Sequence, residues 1–180
     1  MVRTCIAFSV FAAAGDAWTQ SVTAAQLKAG FVFNFARFAE WPIKALGSNA
    51  SLVLCVRGDA AVEQSLDQWA DGHEISGHHV TVRAVRAGEP VNTCHLLYAG
   101  SLDKQQAVVL LESVKGLPIF TVSDLADFAA MGGTAHLFPE NGRLRFAVNV
   151  ESAQRAGLHL SSQLLALARI VKDEPYAMGR

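Results

Sequence analysis

The sequence has few charged residues and no excess of either sign. Charged side chains make up 17% of its 180 residues, and 15 Lys and Arg against 16 Asp and Glu leave a net charge of −1. A dedicated nucleic-acid-binding domain carries a basic surface, and a protein held by charge on a membrane surface carries a basic cluster. The composition excludes both classes, while 51% hydrophobic residues are enough for a folded core.

Long hydrophobic runs are also missing, apart from one short run near the start. A helix that spans a bilayer needs roughly 20 consecutive apolar residues, and the run 5–14 is about half that long. It follows Arg3 and precedes small residues, which is the pattern of a secretory signal peptide. We predict a signal peptide over residues 1–17 and one exported domain over residues 18–180, with no insertion into the membrane. An uncleaved anchor or a buried amphipathic helix is the alternative for this segment.

Cysteine is scarce, with three residues in the chain. That number excludes a small fold held together by several disulfides. Removal of the leader takes away Cys5 and leaves Cys55 and Cys94, each in or beside a predicted strand of one sheet. In an exported protein we expect these two to form a disulfide, and two buried free thiols are the alternative.

Short apolar runs bounded by turn residues alternate with helical patterns along the chain. We expect strands at 52–56, 80–85, 95–98, 118–122, 134–138 and 143–148, the last two joined by a four-residue turn at 139–142. We expect helices at 24–40, 60–69, 103–114, 124–130 and 163–171, and a short one after Glu151 that Gly157 ends. This order predicts a single three-layer α/β domain with a mixed, mostly parallel central sheet flanked by helices.

The first predicted helix is rich in aromatic residues. One of its faces carries large apolar side chains at helical spacing, which predicts packing in the core: Leu27, Phe31, Phe35 and Phe38. Phe33 lies on the opposite face and Trp41 follows the helix, so both exceed what one buried face needs. We expect Phe33 and Trp41 on a dimer or partner surface, with simple core packing as the alternative.

Motifs for catalysis, metal binding and nucleotide binding are missing. The sequence has no G-x-S-x-G, and Cys94 and His95 are neighbours on a strand, which directs their side chains to opposite faces. The loop 57–59 has one glycine where a dinucleotide-binding loop has three. The histidines lack the spacing of metal ligands: His73, His78, His79 and His95. We therefore predict no catalytic residue, no metal site, no cofactor and no enzyme activity.

Seven stretches in order resemble the YfiR-like family of periplasmic regulators, and together they cover nearly the whole chain after the leader. The longest is KAGFVFNFARFAEWP at 28–42, and the second cysteine lies in CHLLYAGS at 94–101. The others are LCVRG at 54–58, FTVSD at 120–124, FAAMGG at 128–133, RLRFAVN at 143–149 and AGLHLSSQLL at 156–165.

The resemblance implies a non-enzymatic protein of the periplasm that acts by binding. Such proteins bind the periplasmic sensor region of an inner-membrane diguanylate cyclase and repress cyclic-di-GMP synthesis and biofilm formation. The resemblance also implies a homodimer, and it matches Cys55 and Cys94 to the family's disulfide. We expect the partner to bind an exposed patch near Arg145, Phe146 and Asn149, together with the neighbouring helix at Glu151. Phe146 and Asn149 equally suit a structural role in the hairpin and its corner.

Two departures from the family pattern limit what the resemblance implies. Ala129, Ala130 and His136 occupy the region where some relatives have a second cysteine pair, so redox control through that pair is not expected. Ala147 stands where relatives often have an acidic residue, so the partner or its affinity can differ. The alternative function is that of a periplasmic sensor that binds a small molecule in the cleft at the carboxyl ends of the strands.

Overall fold

An eight-stranded sheet forms the centre of the molecule in the computed structural model, which describes residues 22–174. Its strands are β2 Leu52–Arg57, β3 Glu74–Ile75, β4 His78–Ala84, β5 Leu96–Ala99, β6 Phe120–Ser123, β7 Ala135–Glu140, β8 Arg143–Asn149 and β10 Arg169–Val171. Two short strands, β1 Ala39–Glu40 and β9 His159–Leu160, pair separately. The helices are α1 Ala24–Arg37, α2 Ala60–Ala70, α3 Lys104–Ser113, α4 Val150–Arg155 and α5 Ser162–Leu167.

The strand order is β10-β8-β7-β6-β5-β2-β4-β3. Only β7–β8 and β3–β4 are antiparallel pairs, and the other neighbours run parallel. The predicted fold class, a mixed and mostly parallel sheet flanked by helices, is confirmed.

Successive side chains of each strand point to opposite faces of the sheet. Because both faces carry apolar side chains, helices cover both of them. Leu54 and Val56 of β2 face the larger apolar core, where α1 packs. Cys55, between them, faces the smaller core, which includes Leu110 of α3. The three layers are therefore α1 with α2, the sheet, and α3.

Helix α1 begins where the sequence predicts and ends earlier. Thr23 and Gln26 form a capping box, in which each side chain accepts a hydrogen bond from the other residue's backbone N–H. The helix ends at Arg37, three residues before the predicted end at Glu40. The cause is tertiary, since Ala39 and Glu40 leave the helix to pair with Leu160 and His159.

Three other local predictions are wrong, each for a backbone reason. Residues 124–130 form turns because Asp127 adopts a left-handed conformation, with φ of 64°. The hairpin turn has two residues, Asn141 and Gly142, both with positive φ, so Glu140 and Arg143 already pair. The last helix ends at Leu167, because residues 169–171 form β10 beside β8.

The disulfide between Cys55 and Cys94 is present, as expected. It joins β2 to the residue that lies two positions before β5, and the two Cα atoms are 5.7 Å apart. Both sulfurs lie in the smaller core. The predicted signal peptide at 1–17 lies outside the described residues.

Candidate functional site

An apolar groove of about 820 Å³ runs beside α1. One wall follows α1 from Gln26 and continues to Phe38, the residue that caps the helix, and the other walls include residues of α2, α5 and β8. Five aromatic side chains of phenylalanine and tryptophan line it: Phe31, Phe35, Phe38, Trp69 and Phe146. The groove is therefore large enough to hold a ligand or a segment of another protein.

The sequence predicts that the apolar stripe of α1 packs in the core, but the residues of this stripe line the groove. Leu27 is 45% exposed, and Phe31 and Phe38 are only partly buried. Helix α1 packs on the sheet mainly through small and aromatic residues on an adjacent face, which are almost fully buried: Ala29, Val32, Phe35 and Ala36. The expected stripe is thus split between core and groove.

Phe33, which the sequence predicts on a surface, is buried with 5% exposure. Its ring lies 5.9 Å from the ring of Trp69 and 6.1 Å from that of His73. Helix α2 covers this side of α1, which is why the expected exposure of Phe33 is wrong. Phe33 instead supports Trp69, which lines the groove at 46% exposure.

Exposed large hydrophobic residues concentrate at this groove. The described residues include seven of them, and four line it: Val22, Leu27, Trp69 and Leu167. Scattered single residues of this kind are normal on a protein surface, whereas a contiguous cluster marks a binding surface. The sequence predictions missed Trp69 and Leu167, although both are apolar residues in predicted helices and lie off the buried face.

The groove carries no formal charge among its lining residues, apart from the ionisable His73. Its other polar groups are the amides of Gln26, Asn34 and Gln68. Asn34 already donates its amide to Gly30 O at 2.8 Å. Binding in this groove would therefore depend on apolar contact and depend little on salt.

The residues predicted to bind a partner do not converge on one surface. Arg145 and Phe146 are neighbours on β8 and point to opposite faces of the sheet. Phe146 is 7% exposed, lines the groove, and contacts Phe31 and Phe35 at ring distances of 5.7 and 5.1 Å. Arg145 is exposed on the other face, where its Nε lies 3.9 Å from a carboxylate oxygen of Glu140.

Asn149 has a structural role at the end of β8. It is fully buried, accepts a hydrogen bond from the Ser152 N–H, and so caps α4. Its amide group donates to Ala129 O at 2.9 Å and to Asp173 Oδ1 at 2.6 Å. Glu151 is exposed in the first turn of α4. The expectation of one exposed patch formed by Arg145, Phe146 and Asn149 is wrong, and only Phe146 belongs to the groove.

Trp41 lies apart from the groove. It is partly buried, and its indole N–H donates to His95 O at 3.0 Å. The His95 ring accepts a hydrogen bond from the Val53 N–H at Nδ1, at 3.0 Å, which leaves Nε2 to donate to Ala45 O at 3.1 Å. Trp41 and His95 therefore anchor the segment 41–45 to the sheet.

The cleft at the carboxyl ends of the strands, the expected site of the alternative function, is filled. Lys28 of α1 reaches across it, with Nζ 2.6 Å from Asp124 and 3.7 Å from Asp59. Tyr98 lies fully buried below these carboxylates, and burial, followed by the two negative charges, raises the pKa of its phenol. Gly58 and Gly100 approach so closely that a Cβ on Gly58 would lie 2.4 Å from Gly100 O.

The histidines do not form a metal site. No group of three or more His, Cys, Asp or Glu side chains within residues 22–174 is arranged to hold a metal ion. His78 contacts Ala50 O and the exposed His79 contacts Glu74. Each of these histidines has its own structural partner.

The structure is a three-layer α/β domain with an apolar groove beside α1. A sequence model of the YfiR/HmsC-like family matches residues 25–169, and the chain belongs to this family. The family is one of regulators. In the part of the chain that the structure describes, no helix is both long and apolar enough to cross a membrane.

Replacing Gly58 by alanine tests the closed cleft. Gly58 has φ of 78° and no space for a Cβ, whereas Gly72 has φ of 67° and nothing within 4 Å. We expect Gly72→Ala to lower the free energy of unfolding by about 1 kcal/mol, and Gly58→Ala to lower it by roughly 3 kcal/mol because overlap adds to backbone strain. Urea unfolding measures the free energy of unfolding of both variants. Equal losses would show that the loop at Gly58 does not touch the loop at Gly100.

Stability is expected to fall when the pH decreases below about 6.5, the pKa of histidine in the unfolded chain. Burial lowers the pKa of His95, and the hydrogen bond to Ala45 offsets this lowering only in part. Burial also lowers the pKa of His136. The unfolded chain then binds more protons than the folded chain, so this stability is complete above pH 6.5 and is lost below it.

The variant His95→Asn keeps a hydrogen-bond acceptor and removes the titrating group. Between pH 7.5 and pH 5, we expect it to lose less unfolding free energy than the wild type, which loses at most about 1.4 kcal/mol per pH unit for each such histidine. Urea unfolding at several pH values gives the slopes, with His79→Asn at an exposed position as control. Identical slopes for wild type and His95→Asn would contradict this role.

Proposed function

We propose that this protein is a periplasmic negative regulator of an inner-membrane diguanylate cyclase. It binds the periplasmic sensor region of the cyclase and represses cyclic-di-GMP synthesis and biofilm formation. Membership in the YfiR/HmsC-like family supports this function. The proposal includes a signal peptide over residues 1–17, a homodimer, and action by binding without catalysis.

The observation that carries the proposal is the cluster of exposed hydrophobic residues around one uncharged groove. Four of the seven exposed large hydrophobic residues in the described chain line it. A contiguous cluster of exposed apolar residues marks a surface for interaction with a protein, a membrane or a ligand, and interface energy concentrates in a few well-supported aromatic anchors. Trp69 is the best candidate anchor because Phe33 supports its ring from below.

Phe146 connects the groove with the partner surface that we expect from the sequence. It is the one member of that predicted set whose side chain reaches the groove. Its ring also fixes Phe31, whose centroid lies 5.7 Å away. We place the cyclase contact on the groove, with Arg145 and Glu151 outside its centre.

Repression requires only that the groove bind one state of the sensor more tightly than the other. A ligand shifts a two-state equilibrium by its differential affinity, and about 5.5 kcal/mol moves it from 1:99 to 99:1. The groove can supply this difference in affinity if the segment that it binds is exposed in the inactive sensor and buried in the active one.

A small-molecule sensor is the second candidate, and the size of the groove favours it. The volume of about 820 Å³ lies within the range of ligand-binding pockets. Such a ligand would be apolar and would occupy the groove beside α1, because the cleft at the strand ends is filled. A metabolite that stays bound through purification of the native protein would support this function.

Deletion of the gene in the native host is the first experiment. We expect cellular cyclic-di-GMP and biofilm to rise, and expression of the wild-type protein to restore both. Unchanged cyclic-di-GMP would contradict the proposed function.

The variant Leu167→Glu tests the groove as the contact surface. Leu167 is 73% exposed in the groove, so a charge there leaves the fold intact and adds desolvation that we expect to weaken binding at least tenfold. The matched control is Val109→Glu, since Val109 is 61% exposed on α3 and outside the groove. In the deletion host, Val109→Glu should restore repression and Leu167→Glu should not. Equal repression by both variants would exclude the groove.

A further inference from the structure

Two carboxylates share one ammonium group at the carboxyl ends of the central strands. Asp59 follows β2 and Asp124 follows β6, the strands on either side of β5. The Lys28 Nζ lies 2.6 Å from Asp124 Oδ2 and 3.7 Å from Asp59 Oδ2. Within residues 22–174, neither carboxylate pairs with any other cationic side chain. The cluster therefore keeps one negative charge that Lys28 does not balance.

The hydroxyl of Tyr98 lies beneath the two carboxylates. Tyr98 is fully buried, and no described residue forms a hydrogen bond with its hydroxyl. In the parallel register it is aligned with Val56 of β2 and Val122 of β6, and each of these strands leads to one carboxylate. A buried polar group without a partner needs an explanation, and a bound ion is one of the few available.

The electrostatics of the phenol agree with this placement. Burial raises the pKa of Tyr98, and the charges of Asp124 and Asp59 raise it further, as expected for a hydroxyl that faces both carboxylates. The phenol is thus neutral at any physiological pH, and its oxygen keeps a lone pair that can bind a cation.

The carboxylates are held in place for binding. Asp59 caps α2, and its Oδ1 accepts a hydrogen bond from the Val62 N–H at 3.1 Å, which leaves Oδ2 directed at the cluster. Carboxylate and neutral oxygen atoms are the ligands that Ca²⁺ and Mg²⁺ prefer. Donors that are oxygen atoms alone suit these hard cations better than softer metals. The sequence predicts no metal site because carboxylates that follow separate strands share no motif along the chain.

We propose that Asp59, Asp124 and Tyr98 form a binding site for a divalent cation, Ca²⁺ or Mg²⁺, which replaces the ammonium group of Lys28. The Lys28 side chain is 22% exposed, so its flexible stem can turn into solvent while α1 stays folded. The ion pairs of Lys28 and the bound cation are therefore mutually exclusive. A cation at this site would release the contact that ties α1 to the strand ends.

Calorimetric titration of the folded protein with calcium chloride or magnesium chloride, at constant ionic strength, tests the proposal. A site with two carboxylates predicts a Kd on the order of 10⁻⁴ to 10⁻³ M. Lys28→Met removes the competing charge, and Asp124→Asn removes a ligand. We expect the first variant to bind about tenfold more tightly than the wild type and the second about tenfold more weakly. The control Asp67→Asn, at an exposed position of α2, should match the wild type.

The variant Tyr98→Phe tests the third ligand, because it removes the hydroxyl and keeps the ring. Without the cation, we expect its free energy of unfolding to equal or exceed that of the wild type, since an unpartnered polar group leaves the core. With calcium, we expect binding to weaken several-fold. Urea unfolding and calorimetry measure the two effects. A loss of stability with unchanged calcium affinity would show that the hydroxyl is no ligand and would contradict the proposed site.

Three further results would overturn the proposal. No heat of binding to the wild type, and no shift of its urea midpoint, up to about 10 mM of either cation would mean that there is no site. Equal affinities of Asp124→Asn and the control Asp67→Asn would mean an adventitious ion only, bound elsewhere on the surface. Weaker binding by Lys28→Met would mean that Lys28 does not compete with the cation.

A second carboxylate variant applies if Asp124→Asn does not fold. Asp59→Asn removes the charge and keeps the helix cap, because asparagine caps a helix about as well as aspartate. We expect it to weaken calcium binding as strongly as Asp124→Asn would, and an affinity equal to that of the wild type would refute the site.

Discussion

The packing of Phe35 on the central sheet is the contact on which the other features depend. Its ring stacks on Phe120 of β6 at 5.6 Å and meets Phe146 of β8 edge-on at 5.1 Å. This contact sets the distance of α1 from the sheet and leaves Leu27, Phe31 and Phe38 beside an open groove. Helix α2 packs against α1 through Phe33 and Trp69, and Trp69 also forms part of the groove wall.

Much of the architecture was predictable because local signals and tertiary structure agree. The apolar runs at 52–56 and 95–98 are central strands, which are buried on both faces and so lack alternation. The disulfide follows from these two strands being neighbours. Prediction failed for strands that form only by pairing with a segment far away in sequence. Strand β10 forms along the edge of β8, and β1 forms by pairing with β9.

The groove could not be predicted, because a helical pattern shows which side chains share a face and not which element covers that face. Phe33 and Phe31 illustrate this, since α2 buries the residue assigned to the surface and leaves the other in the groove. The same reason separates Arg145 from Phe146, which are adjacent in sequence and lie on opposite faces of β8. Residues close in a family motif therefore do not make a common surface.

The central claim, that the groove beside α1 contacts a membrane-bound cyclase, is tested most directly by photo-crosslinking in the native host. A photoreactive amino acid at position 167 lies in the groove, and the same amino acid at position 109 lies on α3, outside it. The account predicts an adduct from position 167, and none from position 109, with a membrane protein whose mass-spectrometric peptides belong to a diguanylate cyclase. An adduct with the cyclase from position 109 alone, or from neither position, would contradict it.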